Sequence, residues 1–130
     1  MGEAWLDLAR DARRSANYLL VEDCFRSCLS RAYYAADSKV THVLAETPGV
    51  TFPNYRAGPS HPGELGTGGI RRLIESSMPN MQQDRRVKLS ELVGRLYTLR
   101  IDADYKPSAS VTARDARAAV SIMNTIFVSF

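Results

Sequence analysis

Of the chain's eight glycines and six prolines, ten lie between Pro48 and Gly69. Proline lacks the amide, and glycine the conformational restraint, that a helix or strand interior needs, so this cluster forbids a long regular element there. The remainder is almost free of breakers, with Gly94, Pro79 and Pro107 as the interior exceptions. The chain therefore reads as helices arranged around one long central loop.

Hydrophobic spacing places those helices. Trp5, Leu8, Ala9, Ala12, Ala16 and Leu19 recur at three-four intervals and predict a first helix over about Glu3 to Leu20. A second starts near Asp23 and runs to about Ala45, burying Phe25, Cys28, Leu29, Ala32, Ala36, Val40, Val43 and Leu44 with Tyr33 and Tyr34 on its shoulders. Its small residues Ala32, Ala35 and Ala36 let neighbours approach closely, as suits the central helix of a bundle. After the loop, at about 47–66, a short third helix spans roughly Thr67 to Ser77, with Ile70, Leu73 and Ile74 inward. A fourth runs from about Met81 to Ile101 or slightly beyond, burying Val87, Leu89, Leu92, Val93, Leu96 and Leu99. The last begins at Thr112, whose hydroxyl caps free amides while Asp115 sits in the first turn. No alternating strand pattern of useful length occurs. The expectation is an all-α, antiparallel bundle of four to five helices forming a single domain over residues 1–130.

At 130 residues, one core buries roughly two-thirds of the unfolded surface, so no disulfide or metal staple is required. No run approaches the ~18 apolar residues of a membrane span, and the acidic start argues against a signal peptide and for a cytoplasmic protein. Cys24 and Cys28 are four apart on one helix, a spacing that disfavours a bridge, and His42 and His61 complete no zinc pattern. Both cysteines are expected as buried structural thiols, with no metal and no cofactor. Arg outnumbers Lys by 14 to 3, but the basic residues occur in small groups and not in one stripe, so a net charge of +3 does not by itself indicate nucleic acid.

The Gly66-Thr67-Gly68-Gly69 run lacks the Lys-Ser/Thr ending of a phosphate loop and follows no strand. No Gly-x-Ser-x-Gly elbow or paired metal histidines are present. Two other stretches carry more. Ser30-Arg31-Ala32-Tyr33-Tyr34-Ala35-Ala36 lies mid-way along the second helix, and Arg100-Ile101-Asp102-Ala103-Asp104-Tyr105 closes the fourth. With Ser60-His61 between them, their order and separation resemble the small stand-alone branch of the HEPN superfamily, over nearly the whole chain. The resemblance implies a helical bundle that homodimerises and gathers polar residues at the seam. It also implies RNA or nucleotide as ligand: some members are metal-independent endoribonucleases of toxin-antitoxin or defence systems. Others are non-catalytic modules that pair with a small nucleotidyltransferase.

The ribonuclease version needs a base for the ribose 2′-hydroxyl and positive charge on the crowded phosphate, which suits imidazole and guanidinium. In this chain Arg100 is followed after four residues by Tyr105, where the family's histidine would stand. A phenol of pKa ~10 is ionised only about one part in a thousand at neutral pH, so Tyr105 argues against the standard mechanism. The candidate catalytic set is Arg100, Tyr105 and His61, with Arg31, Tyr34 and Asp104 as candidate binding residues. For Arg100, a phosphate clamp and a helical salt bridge to Asp104 both fit the spacing. Tyr105 either serves the site or packs beneath the last loop. Arg31, amid small and aromatic residues, is expected to be buried and paired with Asp104 or Asp102. His61 is either the missing base or an exposed loop histidine, and His42 is expected to face out of its helix.

Overall fold

The computed structural model describes residues 2–50 and 62–130, with side chains for 4–50 and 69–130. Among the described residues every regular element is helical: α1 (Gly2–Val21), α2 (Phe25–Ala45), α3 (Pro62–Ser77), α4 (Gln83–Tyr105) and α5 (Ala113–Phe127). This is the all-α bundle anticipated from the spacing. The helix α2 packs against all four others. Eleven of its residues are buried, more than one amphipathic stripe holds, so it is wrapped on most sides. Ala32, Ala35 and Ala36 are fully buried and supply the close approach.

Contacts fix the directions. The thiol of Cys28 reaches the Ala16 carbonyl, so α1 and α2 form an antiparallel hairpin. The start of α2 meets the end of α4 through Arg26 and Ser30, so that pair is antiparallel too. Ser90 meets Glu75, and Arg86 meets the Met78 carbonyl, so α3 and α4 form a second hairpin. The helix α5 runs alongside α2 in the same direction, because Arg26 binds the Ala109 carbonyl just before it and Lys39 faces Phe127 at its end.

Local chemistry explains the ends. α1 stops in a turn where Asp23 takes φ +60, Asp23 N–H donates to the Leu20 carbonyl and Cys24 N–H to the Leu19 carbonyl. That is a Schellman arrangement with aspartate in the place glycine usually fills. The cap expected at Thr112 is present in full: its hydroxyl accepts from the Asp115 amide and the Asp115 carboxylate accepts from the Thr112 amide. Gly94 sits under the Arg71 guanidinium, which a β-carbon there would meet at 2.9 Å. It lets Arg71 reach Ser90 at 3.0 Å and tie the second hairpin together.

Several expectations need correction. The third helix begins at Pro62, not Thr67, so Gly66, Gly68 and Gly69 are helical; proline suits a first helical position, having no amide to leave unpaired. The fourth continues to Tyr105. Leu8 and Val87 are 44% and 39% exposed, off their helices' buried stripes. Cys28 is buried, and burial pushes its thiol up to about 11, but Cys24 is exposed; both are free. His42 is half-buried. His61 and most of the expected central loop lie outside the described residues.

Candidate functional site

The last turn of α4 meets the first half of α2 around one buried arginine. Arg100 is only 8% exposed, an unusual position for a guanidinium unless it is paired. Its Nε donates to Asp104 Oδ2 at 3.1 Å, the ion pair that a four-residue helical spacing allows. Its Nη2 donates to the hydroxyls of Tyr34, at 3.0 Å, and Tyr105, at 3.4 Å. The rings of Tyr33, Tyr34 and Tyr105 lie 5.1–5.5 Å from its Cζ, within cation-π range on three sides. Tyr33 is fully buried and meets Tyr34 and Tyr97 edge-on, which fixes the inner wall.

Burial alone would push the Arg100 pKa down, but Tyr34, Tyr105 and the Asp104 carboxylate together hold it above its ordinary value. The Asp104 carboxylate, in ion-pair contact with Nε, is the anion that matches the cation. Asp104 also accepts from Ser30 Oγ at 3.2 Å, which ties α4 to α2. One helical turn beyond Tyr33 and Tyr34, Asp37 is buried, and burial pushes its carboxyl up to about 6 while Arg100 opposes the shift. Among the described residues, Asp37 Oδ1 and Thr41 Oγ1, four residues apart on α2, are buried without a hydrogen-bond partner.

The structure brings Arg100, Asp104, Tyr105 and Tyr34 together as the motifs suggested. It corrects Arg31. That side chain is exposed, because Ser27 and Arg31 share the solvent face of α2. The acids expected to pair with it are engaged elsewhere: Asp104 by Arg100, and Asp102 by Lys106 at 3.2 Å. The arginine of α2 that does lock onto α4 is Arg26, which sequence reasoning missed. Its guanidinium donates to the carbonyls of Asp102, Ala103, Lys106, Pro107 and Ala109, closing the end of α4. Tyr105 is not packed beneath the last loop; it is 64% exposed, with its hydroxyl turned to Arg100.

Three concavities converge on Arg31. One, of about 440 Å³, is lined by Arg26, Ser27, Ser30, Arg31, Tyr34 and Asp104. A second, of about 400 Å³, runs along α1 past Leu8, Asp11 and Ser15 and touches Tyr34 and Ser38. A third, of about 630 Å³, opens toward Arg14 and Tyr18. Arg31 therefore stands over a groove whose floor is Tyr34, with Arg100 just beneath. Among the described residues no group of three or more His, Cys, Asp or Glu side chains could hold a metal ion, and no helix is long and apolar enough to cross a membrane.

No family model, no curated protein and no solved structure matches the chain.

Proposed function

We propose that this chain is an HEPN-like module that binds RNA or nucleotide without cutting it, with Arg31 holding phosphate and the Tyr34 and Tyr105 rings meeting the base. The observation that carries this reading is the confluence of three concavities on one exposed arginine, two of them also lined by Tyr34. A guanidinium fork suits phosphate oxygens, and exposed aromatic rings suit bases. Arg100 is the positioning residue: its charge is matched by Asp104, and its remaining contacts orient the two tyrosines. Tyr105 supplies no base for the 2′-hydroxyl, and His42 lies eight residues beyond Tyr34, about 12 Å along the helix. The exposed Leu8 and Tyr18 flank the same groove and form the seat for a second copy of the chain.

Fluorescence anisotropy with labelled single-stranded RNA, in EDTA and at low salt, tests the reading, and ATP as competitor distinguishes a nucleotide site from a polymer site. Arg31→Ala is expected to leave the fold intact and weaken binding roughly fivefold, as loss of a phosphate contact does. Undiminished binding in that variant would contradict the assignment.

A further inference from the structure

On the opposite flank of α1 from the Arg31 groove, three cations from two helices gather against the end of a third. Arg10 and Arg13 are one turn apart on α1, and Lys39 comes from α2. The Arg13 Cζ lies 4.7 Å from the centre of the Phe127 ring, and its Nε donates to Asn124 Oδ1 at 3.0 Å. The Lys39 ammonium lies 5.7 Å from the centres of both Phe127 and Phe130. Arg10 is exposed, Lys39 and Arg13 are half-buried, and Phe130 is 42% exposed, so charge and ring are presented to solvent together.

What distinguishes the cluster is that no ion pair closes it among the described residues. Among the described residues no carboxylate pairs with Arg10, Arg13 or Lys39; Asp11, the neighbouring acid on α1, is engaged by Arg14 at 2.6 Å on the groove side. Asp7, one turn before Arg10, is exposed and makes no ion pair with it. The Lys39 ammonium is pushed below its ordinary range, first by burial and then by Arg10 and Arg13. Aromatic faces attract cations but carry no net charge, so the ring contacts leave the positive charges of Arg13 and Lys39 in place.

We propose that Arg10, Arg13 and Lys39, with the Phe130 ring, form a second binding site, for a single-stranded nucleic acid, with phosphate on the cations and a base on the ring. Juxtaposed cations and an exposed ring are the combination that tracks a strand without reading its sequence. The site uses no residue of the Arg31 groove and stands whether or not that groove binds.

The test is anisotropy of fluorescein-labelled 16-mers, of both RNA and DNA, over a series of salt concentrations. The proteins compared are wild type, the Arg10→Ala/Lys39→Ala double variant, Phe130→Ala and Arg31→Ala, each checked by circular dichroism. The double variant is expected to weaken binding roughly five- to tenfold and to flatten the dependence of log affinity on log salt by about 1.4, two phosphates' worth. Phe130→Ala is expected to weaken binding about fivefold at unchanged slope, as lost stacking does. An unchanged affinity and slope in the folded double variant would overturn the site, and loss confined to Arg31→Ala would do so while leaving the groove standing. Equal competition by an acidic peptide and by the 16-mer, with no effect of Phe130→Ala, would also overturn it, because the site would then read charge alone.

Discussion

A buried carboxylate next to a buried guanidinium would ordinarily be read as a salt bridge, yet Arg100 pairs with Asp104, and one Asp37 oxygen has no hydrogen-bond partner among the described residues. The consequence is a stability term with a definite sign. Burial raises the Asp37 carboxyl from 3.8 to about 6, so the folded state holds its proton more tightly than the unfolded chain. Below about pH 4 both states are protonated and nothing is lost; as pH rises through 6 the folded state must carry a buried charge, and stability falls. Asp37→Asn is expected to raise stability by about 1–3 kcal/mol at pH 8, and this gain is expected to disappear near pH 4. Urea midpoints of the two proteins from pH 4 to 8 check this, and a pH-independent difference would contradict it. Arg26 makes the opposite case, a cation whose five carbonyl acceptors lie at the negative end of α4. Arg26→Ala is expected to cost about 2–4 kcal/mol in thermal or urea melts. Lysine there should recover under half of that, because a single ammonium cannot span the set.

At the scale of elements, the turn between α1 and α2 offers the plainest test. Asp23 holds the left-handed conformation at φ +60 in a position that suits glycine, while its neighbours' amides close the helix. Asp23→Gly is expected to raise stability by about 0.5–1 kcal/mol, read as a shift in melting temperature, since only the strain at that residue is relieved. Most of the elements were legible in the sequence because three-four spacing and capping chemistry are local. Thr112 with Asp115 gave the start of α5, and the row of small residues in α2 gave its central place. The start of α3 was hidden for a physical reason: Gly66, Gly68 and Gly69 weigh against helix by about 1 kcal/mol each, whereas packing against α4 is a tertiary term that local propensity does not contain. Leu8 and Val87 misled because an apolar residue at the edge of a helical stripe looks like a core residue.

At the scale of the whole molecule, the same limit explains what was and was not visible at the site. The two motif stretches placed Arg100, Asp104, Tyr105 and Tyr34 in one region, and the structure joins them. Which arginine of α2 locks onto α4 and which stands in solvent could not be read, since Arg26 and Arg31 differ by five residues and about 140° around the helix. Asp37 carried a faint signal, an acid one turn from two tyrosines inside a run of small residues. The Arg10, Arg13 and Lys39 cluster carried none, because it is assembled from α1, α2 and the end of α5.

We propose that the Arg31 groove binds RNA without cutting it. Incubating the purified chain with total RNA in EDTA, and mapping new ends against untreated RNA, tests it most directly. RNA is expected to be bound and no new ends to form. Ends that form in EDTA and vanish in either Arg100→Ala or His61→Ala, with those variants still folded, would contradict it and make the chain a metal-independent nuclease.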